Sequence, residues 1–213
     1  MKKLKLVFDI GANLGKSADI LRGVSDKIIC FEANPQLVGR LRTKFNNSNI
    51  VVDNRGLSDK SGKQKFNICT QHTISTFSDD WIKHSRFSEY TWDETVEIET
   101  TTLDAIIDQY GIPDYVKIDI EGYEYEVLTA FTKVIDNSVF AFEWAEEQKY
   151  KIDEILKYVY KIGYNKFGYT IGDHLLFDSQ IEWFDYNDLN LINTLNEHRK
   201  TKWGMIYFKP YEL

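Results

Sequence analysis

A chain of 213 residues with 43% hydrophobic residues has the material for a packed interior, which excludes wholesale disorder. Its formal net charge of -7 argues against broad attraction to nucleic acid or an anionic membrane, though a local basic patch stays open. Cys30 and Cys69 fit neither a metal-ligand spacing nor a disulfide framework, which suits a reducing, cytoplasmic setting.

The N-terminal MKKLKLVFDIG has the basic-then-apolar order of a secretory leader, but its apolar run is only about five residues long and carries Asp9. It reads as a first strand over residues 3–10. No other run approaches the roughly 18 apolar residues of a membrane span. The spacing predicts a helix over 16–24 with Ala18, Leu21 and Val24 on one face, then a strand over 27–32. A helix over 35–45 opens with Pro35, where a missing N–H costs nothing, and a third strand covers 49–54. The alternation then breaks. A turn at Ser61-Gly62 leads into a strand, residues 70–94 show no period, and 96–103 is strand-like. Regular order returns with a helix over 102–110, a strand over 114–120, a helix over 123–131 and a strand over 138–145. A helix over 148–163 is closed by Gly163. The remainder predicts a hairpin around Ile171-Gly172-Asp173, a polar helix within 185–199 and a last strand over 202–210.

Strands alternating with helices imply an α/β fold with a mostly parallel sheet and helices on both faces. Right-handed crossovers then place ligands at the C-terminal ends of the central strands. The residues expected at those ends are Asp9, Glu32, Asp53, Asp119 and Glu143, and every one is acidic. A carboxylate-lined sheet edge is therefore expected.

After the first strand the spacing is Asp9-x-Gly11-x-Asn13-x-Gly15. Three residues between the glycines and no Gly-Lys-Ser/Thr ending exclude a Walker loop. A dinucleotide fingerprint needs a glycine where Asn13 stands, and Asp9 would repel a diphosphate. A zwitterion fits better: an acid takes an ammonium, while loop N–H groups and a helix N-terminus take a carboxylate. Glu32, at the next strand end, is placed to accept both ribose hydroxyls. Amino acid plus ribose describes S-adenosylmethionine. The plain alternative is a tight turn beside ordinary strand-end acids, and the joint occurrence of these features weakens it.

FDIGANLGKSA, FEANP, GLSDKSG, TTTLDAIIDQYGIPDYVKIDIEGYEYEVL and FAFEW stand in the order seen in FkbM-type methyltransferases, and residues 5–145 resemble that family. The TLD…KIDIEGYE segment is the most specific part, because a generic methyltransferase lacks it. The resemblance implies a Rossmann-like class I methyltransferase fold. Its mostly parallel seven-stranded sheet would end in an antiparallel last strand, and S-adenosylmethionine would donate a methyl group to a sugar or natural-product hydroxyl. Carried over by position, Asp9, Gly11, Asn13 and Gly15 hold the methionine part and Glu32 the ribose. The stretch Asn54 to Ser58, with Gly56 and Leu57 in it, lies near the adenine, with Asp119 also beside the cofactor. Two departures stand out: Ala33 follows Glu32 where the family commonly has proline, and Tyr123 replaces a small residue and would reshape the acceptor pocket.

A sugar hydroxyl attacks a sulfonium in line and needs its proton removed, which calls for a general base or a metal. Asp119 and Glu121 are the expected base and positioner, against a plain reading as a helix cap and an ion pair with Lys117. His72 is the alternative base. No metal is assigned, although Asp119, Glu121 and Glu143 could jointly hold a divalent cation. Phe77, Trp81, Phe87, Tyr90 and Trp92 crowd the irregular 70–94 segment, which is expected either to lie over a sugar ring as a lid or simply to pack onto the body. The expected whole is a single domain over 1–213, an O-methyltransferase with a carbohydrate or glycan acceptor. Methylation of a non-sugar hydroxyl or a nucleic-acid 2′-hydroxyl, and a non-catalytic cofactor-binding scaffold, are the rival readings. No oligomeric state follows from the sequence.

Overall fold

Side chains on the first strand, β1 (Leu4–Ile10), alternate between two cores: Leu6, Phe8 and Ile10 face one, and Val7 faces the other. This computed structural model describes residues 3–172, 175–188 and 203–211. After β1 come α1 (Lys16–Leu21), β2 (Ser25–Phe31), α2 (Pro35–Lys44), β3 (Ile50–Asp53), β4 (Gly56–Leu57) and β5 (Gly62–Ile68). Next are α3 (Asp79–His84), β6 (Glu94–Thr101), α4 (Leu103–Tyr110), β7 (Tyr115–Ile118), α5 (Glu124–Thr129) and β8 (Val139–Ala145). The chain continues through α6 (Lys149–Ile162), β9 (Lys166–Ile171), β10 (Phe184–Asp185) and β11 (Trp203–Lys209).

Local chemistry explains the helix starts. Asn34 caps α2, its side chain accepting the Gln36 N–H at 3.0 Å, with Pro35 at the first turn. Thr102 caps α4 through the Ala105 N–H at 3.2 Å, and Gly163, at φ 127°, closes α6.

The main sheet has the order β10-β9-β11-β8-β7-β1-β2-β3. Its centre is parallel: β7 pairs with β1 and β8, and β1 with β2. As expected, the last strand β11 is antiparallel, to β8 and to β9. The count corrects the sequence expectation of seven: among the described residues the sheet has 8 strands. The addition is β10, whose two residues pair as Phe184↔Phe167 and Asp185↔Lys166, too short to leave a periodic pattern. Of the hairpin expected around Ile171-Gly172-Asp173, the flanking strands β9 and β10 pair antiparallel, and Asp173 lies outside the described residues. So does most of the polar helix expected in 185–199; its described start finishes β10 and makes a 3-10 turn at Tyr186–Asp188.

Helices α4, α5 and α6 pack on one face around Phe8, Phe31, Phe140 and Phe142. Helices α1 and α2 pack on the other around Val7, Ile28, Tyr115 and Tyr207. A second sheet, β4-β6-β5, stands beside the main one, and the region expected to be irregular contains α3, capped by Ser78 on the Trp81 N–H at 3.1 Å.

Candidate active site

Strand alternation sends Asp9, Cys30, Lys117 and Glu143 to the same face of the sheet, and the register places Asp9 beside both Cys30 and Lys117. The polar residues expected at strand ends therefore converge at the C-terminal edge of the parallel strands. A cleft opens there.

The loop after β1 forms one wall. Gly11 at φ 77°, Asn13 at φ 50° and Gly15 at φ 74° are all left-handed. A Cβ at Gly11 would lie 1.8 Å from the Asp119 carbonyl oxygen. Gly11 is thus required first by the approach of the protein's own chain, and that approach draws the loop against the end of β7.

Glu32 anchors the same loop. One carboxylate oxygen accepts the Asn13 N–H at 2.6 Å and the other the Asn34 N–H at 2.7 Å. Burial pushes its pKa up to about 7, partly opposed by these two N–H donors. Each oxygen keeps a lone pair for a further donor.

Behind the loop lies a buried ionic chain. The Lys117 ammonium is 3.1 Å from Asp119 Oδ2 and 3.6 Å from Asp9 Oδ1, and it donates to the Gly11 carbonyl at 3.2 Å. Burial alone would lower the lysine pKa, but Asp119 and Asp9 outweigh it and hold the group protonated. Asp9 is 0% exposed, and burial raises its pKa against the pull of Lys117.

Opposite stands the turn after β7. Glu121 has φ 55° and Gly122 φ 86°, and side chains clamp both carbonyls. The Thr76 hydroxyl donates to the Glu121 carbonyl at 2.7 Å, and the Gln148 amide donates to that of Gly122 at 2.8 Å. Glu124 accepts the Ile120 N–H at 2.8 Å. Asp119, Glu121 and Glu143 each offer a carboxylate oxygen within 4.8 Å of the others, a grouping compatible with a divalent cation. Burial and neighbouring acids, Asp119 first among them, raise the pKa of Glu121 and of Glu143 well above the carboxylate range.

The 70–94 segment supplies the remaining wall. Phe77 lies tilted against Phe66, ring centroids 4.7 Å apart, and against Tyr123 at 5.5 Å, and it fills the space that a Cβ on Gly56 would need. Trp81 is 2% exposed and packs on Gly122, and Phe87 leans on it at 5.8 Å. These two aromatics serve packing; Phe77 lines the cleft.

Of the residues expected from the sequence, the cleft brings together Gly11, Asn13, Glu32, Gly56, Leu57, His72, Asp119 and Glu121. His72 is half-buried there, with its Nδ1 atom enclosed and without a hydrogen-bond partner among the described residues. Four expected residues are not among its lining. Asp9 is sealed behind Lys117, Gly15 packs under Phe45, Asn54 is exposed, and Ser58 turns its hydroxyl to Asp59 and Gln64. Arg55, within the 54–58 stretch expected near the adenine, lines the cleft while gripping Asp53 at 2.6 Å; sequence reasoning missed this grip and the clamping roles of Thr76 and Gln148. Thr76 had a signal as one of two adjacent hydroxyl residues; Gln148 had none.

Among solved structures, the fold is similar to an FkbM methyltransferase from Methylobacillus flagellatus (TM-score 0.51, 18% identity, 97% of this chain and 44% of that one). It is also similar to a ribosomal protein L11 methylase from Lactobacillus delbrueckii subsp. bulgaricus (TM-score 0.51, 9% identity, 100% and 72%). Among curated proteins, the hexuronic acid methyltransferase AglP of Haloferax volcanii is 25% identical over 144 residues, 63% of this chain and 53% of that protein. The chain thus spans about half the length of that relative. The methyltransferase FkbM domain matches residues 9–170. The chain belongs to the FkbM family of S-adenosylmethionine-dependent methyltransferases.

Proposed function

We propose that the protein transfers a methyl group from S-adenosylmethionine to a hydroxyl of a carbohydrate, either a free sugar, a nucleotide sugar or a glycan. The observation that carries this reading is a single cleft with Glu32 and the glycine loop on one side and Asp119 and Glu121 on the other. The donor set suits the cofactor: Glu32 for the ribose hydroxyls, the Gly11–Asn13 backbone for the methionine part, and Gly56 and Leu57 for the purine. The bound cofactor supplies the electrophilic methyl group. The chain's own residues align the acceptor, exclude water and take up the proton. Glu121 is the proton acceptor, because it lines the cleft beside Asp119, which is already engaged by Lys117. Asp119 orients the acceptor hydroxyl, and His72 is the alternative base.

A carbohydrate acceptor is supported by the relative whose name specifies a hexuronic acid and by Phe77, whose ring offers a stacking face. In this reading the chain is one domain, and segment 70–94 is the cover over the acceptor. No described helix is long and apolar enough to cross a membrane, and Cys30 and Cys69 are buried free thiols that suit a cytoplasmic setting.

The test has two stages. Thermal shift with S-adenosylmethionine, S-adenosylhomocysteine and NAD comes first, and stabilisation by NAD alone would remove the donor assignment. Mass-spectrometric detection of methyl transfer onto panels of sugars, nucleotide sugars, glycans and non-sugar alcohols follows. Transfer confined to the last group would remove the acceptor class.

A further inference from the structure

We propose that Lys117 is a positioning residue that couples the methyl-donor seat to the acceptor-side acid. The proposal rests on reading the cleft as an S-adenosylmethionine site, and it assigns Lys117 and Asp9 work that neither cofactor nor acceptor contact explains. Lys117 is 5% exposed and comes from the middle of the parallel sheet, yet its polar partners join the cleft to the core behind it. They are the Gly11 carbonyl of the donor loop, the Asp119 carboxylate at the cleft and the Asp9 carboxylate behind it, at 3.2, 3.1 and 3.6 Å. An ammonium is suited to this task because it carries three donors on a compact head and accepts nothing.

The linkage has little slack. The Gly11 backbone lies so close to Asp119 that a single Cβ would be 1.8 Å from its carbonyl oxygen, and the Asp119 N–H bonds the Ile10 carbonyl at 3.1 Å. Backbone contact and a shared charge therefore join the same two segments. Removing the charge leaves Asp119 facing Glu121 and Glu143 without its counter-ion and frees the Gly11 carbonyl from its donor. Asp9 in turn keeps the buried ammonium neutralised from the far side, which accounts for an acid that is 0% exposed at the end of β1.

Calorimetric binding of S-adenosylhomocysteine to the full chain tests this without an acceptor. Four proteins are compared: unsubstituted, Lys117→Met, Asp119→Asn and the double variant. Lys117→Met is expected to weaken binding by ~10-fold or more, and Asp119→Asn by several-fold on its own but under twofold when Lys117 is already gone. Lys117→Gln keeps a neutral donor for Gly11; it is expected to recover part of the affinity with no coupling to Asp119. If thermal unfolding shows that Lys117→Met does not fold, Lys117→Gln with and without Asp119→Asn carries the same comparison. Unchanged affinity on replacing Lys117, or effects that multiply independently, overturns the proposal and leaves the cofactor reading standing. No binding to the unsubstituted protein removes the cofactor reading and the proposal together.

Discussion

Glu32 Oε2 accepts the Asn13 backbone N–H at 2.6 Å, so the acid that faces the cleft also ties the glycine loop to the end of β2. Because burial lifts the Glu32 pKa to about 7, its titration falls in an experimentally accessible range. The folded-state pKa is raised above the ordinary glutamate value of 4.5. The stability it contributes is therefore fully present below that value and is lost as pH rises towards 7. A shift of this size corresponds to ~3 kcal/mol at most. Ribose hydroxyls donate to the ionised form, so cofactor binding acts in the opposite direction. S-adenosylhomocysteine is expected to bind more tightly as pH rises from 5.5 to 7.5 and to release a proton on binding near pH 6.5. Calorimetry in two buffers of different ionisation enthalpy measures that proton, and Glu32→Gln is expected to abolish both effects.

The parallel core was legible because its strands are short apolar runs with punctuation: Asn34-Pro35 at one helix start, Thr102 at another, Gly163 at an end. The cleft's acids were legible for the same reason, since strand ends in a parallel sheet share one edge. What was not legible depends on contacts between distant segments. Asp9 reads as a ligand-facing acid until its register partner is known to be Lys117, which turns it inward. Gln148 reads as a helix start, and only the fold brings it to the Gly122 carbonyl. β10 is two residues long and has no period to read.

Two glycines predict opposite outcomes for the same substitution. Gly11→Ala places a methyl group against the Asp119 carbonyl in a left-handed backbone, and nothing flexible can move away. The expected loss exceeds about 3 kcal/mol, with cofactor affinity lost in any protein that still folds. Gly39 is exposed in the middle of α2, and a Cβ there meets nothing within 4 Å. Gly39→Ala is expected to raise stability by about 0.5–1 kcal/mol. Urea unfolding of the three proteins checks both, and equal effects would contradict the loop geometry.

The two-sided clamp on the Glu121 turn makes Thr76 the most informative single position in the 70–94 segment. Thr76 is 0% exposed; its hydroxyl donates to the Glu121 carbonyl at 2.7 Å and accepts the Ser78 N–H at 2.9 Å. A glutamate at φ 55° costs about 1–2 kcal/mol of backbone strain and persists only while its surroundings hold it. Thr76→Val keeps the shape and removes the hydroxyl, leaving two backbone groups unpartnered at a cost of about 1–3 kcal/mol. The melting temperature is expected to fall by a few degrees. S-adenosylhomocysteine affinity should stay within twofold, because Thr76 touches neither Glu32 nor the glycine loop. Turnover of an acceptor found by the sugar panel should fall by ~10-fold or more as the proton acceptor loses its aim, with Thr76→Ser restoring most of it. If Thr76→Val lowers stability alone and turnover is untouched, the clamp is packing, and Glu121 is not the base it is placed to be.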